Sequence, residues 1–400
     1  MKKSLLAIAI AAAVPAVASA QVTIGGLMDI AVTNIDNGSK SKLVTTTGDR
    51  SSNNLNFRGV EEIGGGLKGL FHLELGFDVD NGLLNGGLNG VASGAGNGAL
   101  PVLNSTRAGS TATTTTISGF GFTRRSIVGL EGGFGQIRGG RDYTPIFLAV
   151  NGNSIHGTSG WGSTLTYMNG NSSVGTGVVG HDVRFSNAFF YDSPAMNGFK
   201  VTAAYTNAVD FEEMTNNKNG VGSSLALVYS AGPLYAQIST SNQKDTTGTG
   251  TNLLNSTPPG KKEVMAYGGK YKLDAFELAI GGQTAEATTA GGVKTKNEVL
   301  FYGAAYSIGA TRVSLQSGQV KVSGNTGSAG AGAGKDWKAL TLLVNHSLSK
   351  SNRTSIYGTW GQISNDPNQN VLMRSNGAVY ATSAAGKDPT AFGVGLVHSF

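Results

Sequence analysis

Cysteine is absent from this 400-residue chain, and proline occurs only nine times. Without cysteine, neither a disulfide framework nor a thiolate metal site can form. The absence also avoids oxidative cross-linking in an oxidising compartment. Charged residues make up only 14% of the chain, and no run of lysine or arginine occurs. Nucleic acid is therefore not an expected partner.

Long apolar runs are also missing, except for one at the N-terminus. Lys2 and Lys3 precede an apolar stretch over residues 5–17, which ends in a small Ala-Ser-Ala cleavage site. The stretch is too short for a retained membrane helix and contains a proline, so we predict a cleaved signal peptide. The predicted division is a signal peptide over residues 1–20 and a β-barrel over residues 21–400. No apolar segment of 18 residues follows, so no transmembrane helix is expected.

Glycine is abundant, with 61 residues. Glycine costs about 1 kcal/mol per helical position relative to alanine, but it suits the turns between strands. Polar and apolar residues alternate with a period of two, which is the signal of a strand with two different faces. Near residue 21, for example, Val22, Ile24 and Met28 share one face, whereas Thr23 and Asp29 share the other.

Segments bounded by turn residues predict about sixteen strands. They span residues 21–32, 53–62, 67–80, 120–131, 135–142, 184–192, 199–207, 222–231, 233–242, 262–273, 275–285, 295–308, 310–322, 335–349, 352–362 and 390–400. Short turns alternate with long loops, of which the longest cover residues 81–119, 143–183 and 363–389. Short turns on one side, long loops on the other and both termini on the short-turn side are typical of an outer-membrane barrel.

A soluble β-sandwich or solenoid is the alternative fold, but a sandwich buries its apolar face in a core and needs no such sidedness. In a membrane barrel the apolar face meets lipid, and closure satisfies every backbone group in hydrocarbon. Tyr191, Tyr205 and Trp360 would then lie in the interfacial girdles. Sixteen strands also leave a water-filled channel. We therefore predict an all-β fold, a 16-stranded antiparallel transmembrane β-barrel with short periplasmic turns and long external loops.

The final strand carries a terminal signal. Phe392, Val394, Leu396, His398 and Phe400 share one parity, and the chain ends in an aromatic residue. This arrangement resembles the assembly signal of outer-membrane proteins, and we assign that role to the last phenylalanine.

Four blocks of sequence resemble the general-diffusion porins of Gram-negative bacteria, most closely the betaproteobacterial (Neisseria and Burkholderia) branch. They are NFRGVEEIGGGLKGLFHLELGFDVDNG from Asn56, RRSIVGLEGGFGQIRGGRDYTP from Arg124, RFSNAFFYDSPAMNGFKVTAAY from Arg184, and the ending FGVGLVHSF. Two departures stand out: the family often carries an arginine where this chain has Asn54, and the second external loop is unusually long.

The resemblance implies a multi-pass protein of the outer membrane that forms a passive aqueous channel for small hydrophilic solutes and ions. It also implies a homotrimer in which the third external loop folds inward and constricts each pore. Outer-membrane lipid and lipopolysaccharide would surround the barrel, and no cofactor is expected.

Strand parity and the resemblance together nominate residues that line the pore. Arg58 is out of phase with Phe57, and Arg184 is out of phase with Phe185, so both should face the lumen. Arg124 matches an arginine of the family and shares parity with Ser126. The full set of pore-lining candidates is Arg58, Arg124, Arg138, Arg184, Glu74 and His72.

The inward loop should run from Thr144 to His181, and it contains no aspartate or glutamate; the first acid is Asp182. In many members of the family, this loop supplies carboxylates opposite the wall arginines. Their absence predicts a positive potential in the constriction and a preference for anions, because a low-dielectric channel concentrates the counter-ion.

Three other functions stay open at this point. A substrate-specific channel would use an aromatic slide or a dedicated ligand site in the lumen, for which Trp161 and Tyr167 are candidates. An outer-membrane barrel enzyme would need a nucleophile beside a base, but no G-x-S-x-G motif is present, and the phosphate-loop look-alike over residues 329–336 lacks the required first glycine and final hydroxyl. A purely adhesive or structural barrel would not conduct ions.

Overall fold

The computed structural model describes most of the chain from residue 21 onward. The described residues are 21–80, 82, 84–85, 121–157, 160–161, 163–168, 180–206, 221–245, 260–288, 294–324, 335–371, 374–375, 378–379 and 384–400. The predicted signal peptide and most of the second external loop therefore lie outside the described residues.

The described residues form twenty strands and two short helices. The strands are β1 (Gln21–Asp36), β2 (Ser41–Thr47), β3 (Asn54–Gly64), β4 (Leu67–Phe77), β5 (Leu84–Asn85), β6 (Arg125–Gly132), β7 (Gly135–Tyr143), β8 (Arg184–Asp192), β9 (Phe199–Thr206), β10 (Gly222–Ala231), β11 (Leu234–Asp245), β12 (Gly260–Leu273), β13 (Phe276–Thr288), β14 (Lys294–Ile308), β15 (Thr311–Gly324), β16 (Trp337–Ser347), β17 (Thr354–Asn365), β18 (Arg374–Ser375), β19 (Ala378–Val379) and β20 (Thr390–Ser399). The helices are α1 (Pro145–Gly152) and α2 (Thr164–Met168).

Sixteen of these strands form one closed antiparallel barrel. They are β1, β3, β4, β6 to β17 and β20. The ring closes at β1, which pairs with β3 along its first half and with β20 along its second half. The prediction of a 16-stranded barrel is confirmed, and each predicted span overlaps one barrel strand with ends that agree to within five residues.

The two faces of the barrel differ as the alternation predicts. On β1, the outward Val22 and Ile24 are 56% and 60% exposed, whereas the inward Asp29 and Thr33 are fully buried. On β15, the inward Gln316 is fully buried. An apolar outer face and a polar inner face are what a barrel in lipid requires. Among the described helices, none is long and apolar enough to cross a membrane.

The loops hold secondary structure that the alternation does not predict. β2 folds back on the external half of β1, with Thr47 opposite Ile30, and extends that side of the barrel. In the third loop, Pro145 occupies the first turn of α1, and the Thr144 hydroxyl accepts a hydrogen bond from the Phe147 amide. Both features favour a helix start, so part of a segment predicted only as a loop is helical.

Candidate functional site

The third external loop begins after β7 and packs against the inner face of the barrel. At α1, the Ile146 amide donates to the Ser224 hydroxyl at 3.1 Å, and the Tyr235 hydroxyl donates to the Ala149 carbonyl at 2.7 Å. These contacts attach the start of the loop to β10 and β11. The inward-folded third loop expected from the resemblance is therefore present.

Beyond α1, one buried glutamine anchors the loop to β15. The Gln316 side-chain oxygen accepts hydrogen bonds from the amides of Ile155 (3.1 Å) and His156 (3.3 Å). Arg312 on the same strand donates to the Ile155 carbonyl at 3.4 Å and to Glu277 at 2.7 Å. A loop whose backbone polar groups are bonded to the wall has little freedom to leave it.

Glycines in the wall leave room for the loop. Gly281 lies beneath Asn153, Gly303 beneath Ile155, and Gly318 beneath the ring of Tyr167. A Cβ atom at any of these glycines would lie as close to the loop side chain above it as Cβ atoms ever approach another atom, or closer. Glycines in these strands therefore allow the loop to pack closely against the wall, in addition to the glycines that form turns.

The two aromatic residues of the loop are buried against the wall. Trp161 is 2% exposed and Tyr167 is fully buried, with the tyrosine ring stacked at 6.2 Å on Trp337 of β16. Gln283 fixes the neighbouring backbone by donating to the Met168 carbonyl at 2.7 Å. Neither aromatic ring offers a face to a passing solute, so these two candidates for an aromatic slide do not form one.

The end of the loop returns to the wall through a buried histidine and a buried ion pair. The His181 Nδ1 atom lies 2.6 Å from the Gln283 oxygen, to which it donates. Lys262 on β12 and Asp182 form a salt bridge at 2.7 Å, with 5% of the lysine and 7% of the aspartate side chain exposed. The loop is thus attached at its start, middle and end.

The loop histidines predict an acid-sensitive constriction. Burial lowers the pKa of His156 and the pKa of His181 from the ordinary value of 6.5 to about 4. A detached loop would bind protons near pH 6.5 and a docked loop only near pH 4, so docking is fully favoured above pH 6.5 and weakens as the pH falls toward 4. We expect steady single-channel currents at pH 7 and frequent current fluctuations at pH 4.

A double substitution tests whether the two loop histidines cause this dependence on pH. The variant His156→Asn with His181→Asn should lose most of the difference between the recordings at pH 7 and pH 4. The matched control is His346→Asn, at an exposed position near a short turn, and it should behave as the wild type does. Wild-type currents that are the same at pH 4 and pH 7 would contradict the prediction.

On the opposite side of the loop entrance, three polar side chains meet on Tyr143. Arg124 donates to the Tyr143 hydroxyl at 2.8 Å and pairs with Glu74 at 2.5 Å. Arg184 donates to the same hydroxyl at 2.9 Å, with its guanidinium 4.3 Å from the centre of the tyrosine ring. Tyr143 also stacks on Phe147 of α1 at 4.9 Å, which joins the arginines to the inward loop.

A second group of arginines surrounds Asp142, which is fully buried. Arg125 and Arg138 each place their Nε atom 2.7 Å from one of the two carboxylate oxygens. Arg138 also pairs with Asp192 at 3.0 Å, and Arg125 lies 3.0 Å from the ring of His72. The carboxylate therefore holds two guanidinium groups side by side on the wall.

The structure gathers the six candidates from the sequence on adjoining strands. Arg58 lies directly across from His72 in the pairing of β3 with β4 and is exposed to the lumen. The parity argument for Arg124 is wrong, because Ser126 lies on the exposed outer face with Val128. Arg124 precedes the first residue of β6 and turns inward to Glu74 instead.

Sequence reasoning missed three members of this group: Arg125, Asp142 and Tyr143. A signal for them was available, since all three lie within the block that begins at Arg124 and matches the family. A register shift between Gly140 and Asp142 disturbs the alternation there, so parity alone cannot assign these side chains. We refer to Arg58, Arg124, Arg125, Arg138 and Arg184 together as the wall arginines.

The wall arginines outnumber the carboxylates among them. Five arginines face Glu74, Asp142 and Asp192, which leaves an excess of two positive charges in this described group. The inward loop over residues 144–181 contains no aspartate, glutamate, lysine or arginine, and burial keeps its two histidines neutral near pH 7. The loop therefore does not compensate the charge of the wall.

Comparison with known proteins identifies the family of this chain. The profile of the family described as Gram-negative porin matches residues 6–368. Outer membrane porin protein 32 of Delftia acidovorans is 28% identical over the full length of both chains. The solved anion-selective porin from Comamonas acidovorans superposes with a TM-score of 0.74 at 24% identity, covering 96% of this chain and 100% of that one.

A more distant structure shares the fold. OmpT of Vibrio cholerae, in its trimer form, superposes with a TM-score of 0.65 at 14% identity, covering 95% of this chain and 99% of that one. The sequence profile, the full-length relative and the closed barrel with its inward loop agree. This chain belongs to the Gram-negative porin family and forms a channel in the outer membrane.

Proposed function

We propose that the channel is a general-diffusion pore that prefers anions. One observation carries the proposal: the wall arginines bring a positive excess to the loop entrance, while the inward loop brings no charge of its own. A water-filled section with low-dielectric walls raises the local concentration of the counter-ion. The similarity to a porin named as anion-selective supports the same reading.

General diffusion is favoured over a substrate-specific channel. The two loop aromatics that would serve as a slide are buried, Tyr167 against Trp337 of β16 and Trp161 close to Gly393 of β20. The charged groups of the wall neutralise one another in pairs and leave a diffuse excess, rather than a set of groups converging on one ligand. We propose no catalytic role, since the similar proteins are porins.

Homotrimeric assembly is the second part of the proposal. The similarity to a porin described in a trimer form supports it. For Phe400, a role as assembly signal is supported by its position at the closure, where its amide and carbonyl both bond to Gly26 at 3.1 Å. The predicted cleavage after residue 20 also stays a proposal.

Vesicle swelling with solutes of matched size tests the anion preference. The purified protein is reconstituted in vesicles, which are then exposed to a small dicarboxylate, a neutral sugar or a diamine. We expect the dicarboxylate to enter fastest and the diamine slowest, with about a threefold change in rate for each unit charge near 6 Å from the path. Faster entry of the diamine would contradict the proposal, and saturation of entry by one solute would favour a substrate-specific channel.

A further inference from the structure

Two buried carboxylates lie on the side of the lumen formed by β1 and the first external loop, which joins β1 to β3 and contains β2. Asp29 occupies an inward position of β1 and is fully buried, and Asp49 lies in the loop after β2 and is 3% exposed. The Tyr357 hydroxyl donates to Asp29 at 2.5 Å. The hydroxyls of Thr33 and Thr46 donate to Asp49 at 2.8 and 2.7 Å. These donors are neutral, so they orient the two carboxylates without cancelling their charge.

We call Asp29 and Asp49 the acid pair, and its charge opposes that of the wall arginines. The wall arginines and their carboxylates carry an excess of two positive charges, and the acid pair carries two negative charges. Burial does not hide the acid pair, because a low-dielectric interior screens a charge less than water does. Without cations beside it, the acid pair would cancel the excess that favours anions.

Arg50 follows Asp49 and lies where the first external loop meets the inward loop. Its amide donates to the Asp29 carboxylate at 2.9 Å. Gly160 of the inward loop lies on its other side, and a Cβ atom built on that glycine would be 3.4 Å from the Arg50 Cα atom. The backbone of Arg50 is therefore fixed between the barrel wall and the constriction.

The side chain of Arg50 extends among inward-facing groups. Its guanidinium interacts electrostatically with Asp29, Tyr357 and Arg312, of which the last two occupy inward positions of β17 and β15. Burial lowers the pKa of Arg50 below its ordinary value, whereas the Asp29 carboxylate raises it; an arginine keeps its charge in such a setting. Arg50 is half-buried, while both members of the acid pair are buried. Its positive charge therefore lies between the acid pair and the water of the lumen.

Two other side chains of this region cannot replace Arg50. Arg312 already pairs with Glu277 at 2.7 Å. Asn54, the first residue of β3, shares the inward parity of Arg58 but is uncharged. The charge that faces the acid pair therefore depends on Arg50.

We propose that Arg50 determines the selectivity of the pore by balancing the charge of the acid pair. The charges on this side then sum to zero, with three cations and three carboxylates: Arg50, Arg312 and Lys270, and Asp29, Asp49 and Glu277. The excess of the wall arginines acts on passing ions without opposition. Asp29 is the positioning residue, because its carboxylate fixes the Arg50 amide. The inference rests on the proposed anion preference and names a residue outside the wall arginines that preserves it.

Replacing Arg50 by glutamine should lower the ratio of chloride to potassium permeability about threefold, because one uncompensated negative charge then lies about 6 Å from the ion path. The measurement is the zero-current potential of the purified channel at about 0.1 M salt. Arg50→Lys keeps the charge and should keep the ratio. The matched control is Lys40→Gln, which removes an exposed lysine from the turn between β1 and β2 and should behave as the wild type does.

The two possible failures are distinguishable. A wild-type channel without anion preference would contradict the proposed function. An anion-selective wild type whose permeability ratio is unchanged by Arg50→Gln would overturn only the inference about Arg50.

A labelling experiment tests the sign of the charge at this position. Because the chain contains no cysteine, Arg50→Cys introduces a single thiol that can be labelled in the open channel. A methanethiosulfonate reagent forms a mixed disulfide with the thiolate and releases methanesulfinate. A trimethylammonium label should raise the permeability ratio about threefold, and a sulfonate label should lower it by about the same factor. Recording one channel before and after labelling shows that the barrel is folded.

Lys40→Cys is the control for labelling, and its permeability ratio should not depend on the charge of the label. Equal permeability ratios after the two labels at position 50 would overturn the proposal. A thiol at position 50 that does not react would also overturn it, because Arg50 must border the lumen.

Discussion

Replacing Arg58 and Arg184 by glutamine should abolish the anion preference of the channel. We choose these two arginines because Arg124, Arg125 and Arg138 each form an ion pair with a carboxylate. Replacing one of those three would leave its carboxylate buried and unpaired. The double substitution removes two positive charges and so cancels the excess of the wall. A unit charge about 6 Å from the ion path in water is worth about 0.7 kcal/mol, or roughly a threefold change in local anion concentration.

The expected result is about a tenfold fall in the ratio of chloride to potassium permeability, measured from zero-current potentials at about 0.1 M salt. Two controls accompany it. Arg58→Lys with Arg184→Lys retains both charges and should retain the preference, and Arg353→Gln removes an exposed arginine from a periplasmic turn and should change it little. A permeability ratio that is unchanged in the glutamine variant would show that these arginines do not control selectivity.

Replacing Gly318 by valine should release α2 from the wall. A Cβ atom at this position would overlap the ring of Tyr167, which is fully buried between β15 and Trp337. Overpacking of this kind costs about 1–3 kcal/mol, which lowers the docking equilibrium of the loop by about five- to 150-fold. The helix then moves toward the pore axis.

Single-channel recording checks this expectation: the mean conductance should fall and the open-channel noise should rise. Gly358→Val is the matched control, because a Cβ atom there meets nothing within 4 Å, and its currents should match the wild type. Equal currents in the two variants would mean that packing of Tyr167 on Gly318 does not keep the inward loop in place.

The barrel strands were predictable from the sequence for a simple physical reason. A strand between lipid and water must alternate, and the outward residues Leu278 and Ile280 on β13, for example, alternate with the inward Ala279 and Gly281. The pairing is antiparallel between neighbours in sequence, so the order of the strands around the ring requires no further information.

The constriction was only partly predictable, because alternation fails where the strands end. Arg124 precedes β6 and Tyr143 is the last residue of β7, so both side chains are directed by tertiary contacts rather than by the pleat. Asn187, with φ of 49°, breaks the regular geometry of β8 in the same region. The block similarity identified the right strands, but not which arginines meet which carboxylates.

The burial of Trp161 and Tyr167 also could not be predicted from the sequence. Both residues lie on a loop, where no periodicity tells whether a ring faces the pore or the wall. The decisive feature is the placement of glycines on distant strands, Gly318 under the tyrosine and Gly393 close to the tryptophan. Only the closed barrel brings these residues into contact with the loop.

The first external loop supports the inward loop from the other side. The Asp29 carboxylate accepts hydrogen bonds from the amides of Arg50 (2.9 Å) and Ser51 (2.7 Å). The Asp49 carboxylate accepts from the Thr33 hydroxyl at 2.8 Å, and its backbone carbonyl lies against Gly160 of the inward loop. The two loops therefore place the constriction between the wall arginines on one side and the pairing of β1 with β20 on the other.

The zero-current potential of the purified wild-type channel is the most direct test of a positively charged constriction in a water-filled pore. A planar bilayer separates potassium chloride solutions of about 0.1 M and 0.01 M, where exposed charges are screened over about 10 to 30 Å. Preferred passage of chloride makes the dilute side negative, and the potential should shrink as both solutions are raised toward 1 M. A dilute side that becomes positive would contradict the account.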